Sequence, residues 1–128
     1  MKRLVHHVII EVWKMKTKNY WDKSFMLGQA KLIILAILAR QPLHGYGILK
    51  EIREKSNGCC SITVGTIYPG LKELELEGLV RYKKKRIKNR ERMIYEITAK
   101  GSKVYAEGLK RWVEFTEGAK KLLMVDPP

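Results

Sequence analysis

TVGTIYPGLKELELEGLV, residues 63–80, carries apolar side chains at Ile67, Leu71 and Leu74, with Gly78 completing the stripe. Spacings of four, three and four put one buried face on a helix of about five turns. Thr63 reads as its N-cap, the hydroxyl accepting an otherwise orphaned backbone N–H. Gly78 reads as its stop, because a glycine takes the left-handed conformation at C′ without a Cβ penalty. Pro69 falls inside the run, where it lacks an amide donor and crowds the carbonyl of Gly65, so a kinked first turn is expected. That first turn is small and polar (Thr63, Gly65, Thr66), with Tyr68 beside it. A helix tip of this kind suits close approach to a phosphate-bearing surface.

The segments that follow are strands. Residues 79–86 read LVRYKKKR and residues 92–98 read RMIYEIT. In the second run Met93, Tyr95 and Ile97 alternate with Ile94 and Glu96, the period of a strand. IKNRE at 87–91 is short enough to be the tip of a hairpin. Charge is concentrated here. The 128-residue chain has 26 basic and 13 acidic residues, a net charge of +13, and residues 81–92 hold eight basic side chains against the single acid Glu91. Such a block forms a focused surface for a polyanion. The bland alternative is a solvated β-ribbon whose lysines only prevent edge aggregation.

A helix followed directly by a basic hairpin is the layout of a winged helix-turn-helix, and three blocks make the resemblance specific. HGYGI at 44–48, GTIYPGLKELELEGLV at 65–80 and YEITAKG at 95–101 resemble the PadR family of transcriptional regulators in order, spacing and residue type, across roughly residues 27–101. Gly47 departs from that pattern, where a larger, often acidic residue is expected, and weakens the first turn of its helix by up to ~1 kcal/mol. The fold class expected is mainly α with a small β-hairpin wing (α+β). Residues 1–27 would form a helical extension, 28–98 the winged domain, and 99–128 a dimerisation helix and tail.

The resemblance implies a homodimeric, sequence-specific regulator of transcription, a repressor, with double-stranded DNA as its partner. Its recognition helix would present Thr63, Gly65, Thr66, Tyr68 and Lys72, and its wing Lys84, Arg86, Lys88, Arg90 and Arg92. Tyr68 has two readings, packing at the domain edge or a hydroxyl near the DNA backbone or a base edge. Lys72 is either a phosphate contact or a solvated lysine. Winged helices also serve as RNA-binding or protein-scaffolding modules, which is the alternative from another class.

Outside the winged core, Val5, Val8, Val12 and Met15 keep a three-and-four spacing, with Ile9 and Trp13 alongside, so a helix is expected at about 3–17. Residues 28–39 read as the first core helix and 45–56 as the second, with Ile48, Leu49 and Ile52 buried. Ser56-Asn57-Gly58 ends the second helix, and residues 59–62 form a loop or minor strand. A last helix spans about 99–123, with Tyr105, Leu109, Trp112 and Leu123 apolar and Val104, Val113 and Phe115 flanking. Val5, Val8, Val12 and Trp13 on the first helix and Leu109, Trp112 and Phe115 on the last lack cover within the core, and so mark the expected dimer interface. Some PadR-like regulators hold flat aromatic compounds between subunits, which would give Trp112 and Phe115 a second role as ligand-binding residues. The tail at 125–128 reads as disordered.

Other chemistries find no residues. Three histidines (His6, His7, His44) and the adjacent Cys59-Cys60 do not supply the three or four convergent ligands of a metal site. No Ser/His/Asp set, phosphate-binding glycine loop or catalytic carboxylate pair can be assembled, and Glu73, Glu75 and Glu77 have the pattern of a solvated face. Neither enzyme activity nor a cofactor is expected. The longest apolar run, LIILAILA at 32–39, is far short of the ~20 residues a membrane span needs. Cytoplasmic location follows as the expectation, in keeping with two cysteines that cannot join distant parts of the fold.

Overall fold

The computed structural model describes residues 29–58 and 62–124. The expected N-terminal helix with Val5, Val8, Val12 and Trp13, the pair Cys59-Cys60 and the tail 125–128 lie outside the described residues. In chain order the elements are α1 (29–38), β1 (Leu43–His44), α2 (Gly45–Lys55), α3 (Val64–Leu76), β2 (Val80–Ile87), β3 (Arg90–Ile97) and α4 (Ala99–Leu123). The strands form one antiparallel sheet in the order β1-β3-β2. Among the described residues this is the expected winged helix-turn-helix, four helices and a small sheet.

Three helices and the root of the sheet share one core. The apolar run of α1 supplies Ala30, Ile34, Leu35, Ile37 and Leu38, and α2 supplies Ile48, Leu49 and Ile52. The stripe of α3, Ile67, Leu71 and Leu74, is fully buried between them. Val80 and Tyr95 close the core from the sheet. Truncating any one of the buried leucines to alanine would cost about 2–5 kcal/mol.

At thirteen residues α3 is shorter than the five turns its stripe implied, and it runs through Pro69. Its end is a Schellman motif: the Leu79 amide donates to the Leu74 carbonyl and the Gly78 amide to the Glu75 carbonyl, both at 2.9 Å, with Gly78 at φ 75°. The N-terminus differs from expectation. Thr63 occupies the cap position with extended backbone, and its carbonyl accepts the Thr66 and Ile67 amides, but its hydroxyl makes no capping bond.

The hairpin is longer and tighter than IKNRE implied. Only Lys88 and Asn89 turn, at φ 51° and 62°. Positive φ at both positions matches a two-residue hairpin loop to the twist of its strands. Ile87 and Arg90 therefore pair, and eight residues of each strand are in register. Leu43–His44, between the two expected helices, is a third strand whose residues pair with Tyr95 and Ile94.

Sequence-distant contacts lock α3 to its neighbours. Lys31 on α1 reaches Glu73 at 2.9 Å and Glu77 at 2.7 Å, so two of the three glutamates assigned to a solvated face hold α1 and α3 together, although they stay exposed. α4 begins beside the same end of α3. Gly101 is buried so closely against the Leu79 carbonyl that a Cβ there would collide with backbone. Along α4, Tyr105 packs on the core and the Trp112 indole donates to the Gln29 side chain at 3.1 Å.

Candidate nucleic-acid interface

Tyr68 of α3 and residues 90–93 of the wing border one cleft. Thr63, Gly65, Tyr68 and Lys72 are all exposed, and Thr66 is half-buried. Burial of Ile67, Leu71 and Leu74 on the opposite side forces this, since a helix that buries one stripe presents the other. The Thr63 hydroxyl, not engaged as a cap, stands at this exposed tip. The Tyr68 ring lies over Gly45 at the start of α2, and 46% of the residue remains exposed. Beside it opens a cleft of about 310 Å³ lined by Gly45, Tyr68, Arg90, Glu91, Arg92, Met93 and Tyr95. Burial pushes the Tyr95 phenol up, with Glu75 adding to the shift.

The register of the hairpin sorts its charges. Tyr82, Lys84 and Arg86 share a face with Tyr95, Met93 and Glu91, whereas Arg81, Lys83 and Lys85 share the other with Glu96, Ile94 and Arg92. Glu96 takes up the cations at the root, pairing with Arg81 and, at 3.8 Å, with Lys83. The hydrogen bond from Arg81 holds the Glu96 carboxyl below the usual carboxylate range. Glu91 pairs with Lys84 at 3.8 Å. Towards the tip, Lys85, Arg86, Lys88, Arg90 and Arg92 have no acidic partner among the described residues. Lys85 even stands directly opposite Arg92, an arrangement that costs stability in a free hairpin.

Of the ten residues expected at the nucleic-acid surface, Tyr68, Arg90 and Arg92 line this concavity, and Lys84 is partly neutralised by Glu91. What sequence reasoning missed is the floor: Gly45, brought under Tyr68 from twenty-three positions away. The HGYGI block held that glycine, but nothing in its spacing revealed what lies above it. The dimer candidates on α4 are exposed, Trp112 at 42% and Phe115 at 73%. No helix among the described residues is long and apolar enough to cross a membrane. No group of three His, Cys, Asp or Glu side chains among them could hold a metal.

Fold and cleft together define a winged helix-turn-helix protein with a cationic wing. Residues 34–107 match the transcriptional regulator PadR-like family, and the chain belongs to that family, one of regulators and not of enzymes. A 59-residue stretch is 36% identical to the transcriptional regulator YqjI of Escherichia coli (strain K12), covering 46% of this chain and 28% of that protein. The chain therefore spans under a third of the length of that relative. Among solved structures, a transcriptional regulator from Clostridium thermocellum superposes with a TM-score of 0.68 at 29% identity, over 78% of this chain and 94% of that one. Bacillus subtilis PadR in complex with operator DNA superposes with a TM-score of 0.58 at 28% identity, over 62% of this chain and 46% of that one.

Proposed function

We propose that this chain is a homodimeric, sequence-specific DNA-binding regulator that acts as a repressor, and that α3 enters the major groove while the wing lies on the backbone or in the minor groove. The observation that carries this is the cleft joining Tyr68 of α3 to Arg90 and Arg92 of a wing whose outer cations have no acidic partner among the described residues. Unpaired cations gathered on the outer wing suit phosphates, and the exposed side of α3 suits base edges. The operator complex of the B. subtilis relative supports the same reading.

In this proposal Thr63, Gly65, Thr66, Tyr68 and Lys72 belong to the helix contact, and Lys84, Arg86, Lys88, Arg90 and Arg92 to the wing contact. Residues 1–27 and 99–128 flank the winged domain at 28–98 and build the dimer through Val5, Val8, Val12 and Trp13 together with Leu109, Trp112 and Phe115. An aromatic effector between subunits would meet Trp112 and Phe115. The protein would work in the cytoplasm.

The test is a titration of three ligands at several salt concentrations: a duplex enriched from a random library by this chain, a scrambled duplex and a structured RNA. The regulator reading predicts a preference of ~10³ or more for the enriched duplex. It also predicts that replacing Arg86, Lys88 and Arg90 with alanine reduces the slope of log K against log salt by ~0.9 for each phosphate the wing no longer neutralises. Equal affinity for all three ligands would leave only a basic surface.

A further inference from the structure

Gly45 is the first residue of α2, follows the N-cap His44 and is buried. Its backbone is outside the left-handed region, so conformation does not require glycine there. Space does. A Cβ at position 45 would lie 2.8 Å from Cε1 and Cζ of Tyr68 and 2.9 Å from its hydroxyl oxygen. All three atoms are at the far end of a side chain that is itself half in solvent, so the ring can swing away.

The contrast with Gly101 is informative. There the obstacle is the Leu79 carbonyl, part of the backbone, and a side chain would disturb the fold. At Gly45 the three atoms nearest the added Cβ all belong to the Tyr68 side chain, and alanine is the better helix former. The fold can accept a methyl group at 45; the tyrosine cannot keep its place.

We propose that Gly45 is a positioning residue for sequence discrimination, the bare backbone on which the Tyr68 ring is seated between α3 and the wing. This rests on the reading of Tyr68 as part of the DNA-contacting surface and adds the element that orients it. The seat sets the direction of the phenol towards the cleft that Arg90 and Arg92 border. An aromatic ring held on one face by backbone also loses less freedom on binding than one that hangs in solvent.

The test uses the whole chain with Gly45→Ala, Tyr68→Ala and the double substitution, read on the enriched and scrambled duplexes. Gly45→Ala should keep its unfolding midpoint and its affinity for the scrambled duplex, and lose ~10-fold or more on the enriched one. In the Tyr68→Ala background it should cost nothing further. With ¹³C-labelled tyrosine rings, Gly45→Ala should move the Tyr68 signal and leave that of the buried Tyr95 in place. An unmoved Tyr68 signal, unchanged discrimination, or a further loss in the double variant would overturn the proposal. Failure of the unaltered chain to prefer the enriched duplex is a separate result: it defeats the regulator reading, and this proposal with it.

Discussion

The hydroxyl of Thr98 donates to the carbonyl of Gly78 at 2.7 Å, and the same oxygen accepts the Gly101 amide at 3.0 Å. One side chain thus closes the end of α3 and caps the start of α4. Its own amide adds a bond to the Leu79 carbonyl, and Lys100 reaches the Glu77 carbonyl, both at 3.0 Å. The helix that carries the proposed recognition residues is fixed at its C-terminus to the helix proposed to carry the second subunit.

Thr98→Val removes both hydroxyl bonds while keeping the β-branched shape. It should lower stability by about 1–2 kcal/mol, and Thr98→Ser should recover most of that. Urea denaturation reads the difference directly; a Val variant as stable as the parent would show that the hydroxyl bonds are replaced by water at no cost.

His44 gives a pH dependence with a defined sign. Its Nδ1 accepts the Gly47 amide at 2.9 Å as the N-cap of α2, and its ring stacks near that of Tyr46. Burial, with Arg92 adding to it, holds the imidazole below its ordinary value of 6.5. The neutral form is the one favoured by folding. Its contribution is complete above the unfolded value and is lost as pH falls through the lower folded value. Unfolding midpoints measured at about pH 7.5 and about pH 5 should fall further for the parent than for His44→Asn, which keeps a capping acceptor and does not titrate. Equal falls would assign the acid sensitivity to other groups.

Lys85 faces Arg92 across the wing. Lys85→Glu should therefore stabilise the fold by ~0.2–1 kcal/mol and weaken binding to every duplex. Loss of both stability and binding would mean that the pair contributes to the hairpin itself.

The fold was legible where one period dominates a segment. Ile67, Leu71 and Leu74 repeat at helical spacing, Met93, Tyr95 and Ile97 alternate, and the charge block at 81–92 needs no structure to be seen. What stayed hidden depends on partners far along the chain. A two-residue strand such as Leu43–His44 has no period of its own and exists only because Tyr95 and Ile94 complete it. Lys31 finds Glu77 across forty-six positions, so the acidic spacing alone looked solvated. Thr63 had the residue type of a side-chain cap, but type does not determine where a hydroxyl turns. In the wing, composition showed eight cations yet could not show that Glu96 and Glu91 engage those nearest the root.

The exposed apolar face of α4 yields an assembly prediction. Leu109, Trp112, Phe115 and Leu122 all stand open in the single chain, and a proposed dimer would bury them with a total interface of about 2,000 Å² or more. Phe115→Asp with Leu122→Asp should convert a dimer into a monomer in sedimentation and reduce operator affinity while the wing is untouched. A variant that still sediments as a dimer would move the interface elsewhere.

The central claim is that the α3 tip and the wing act as one DNA-binding face, and amide chemical-shift mapping with the enriched duplex tests it most directly. The largest changes should fall at Thr63, Gly65, Thr66, Tyr68, Lys72 and along 84–92, with the α4 amides at 109–123 left in place. Changes confined to α4, or spread evenly over the chain with none concentrated at Tyr68 and Arg90, would contradict it.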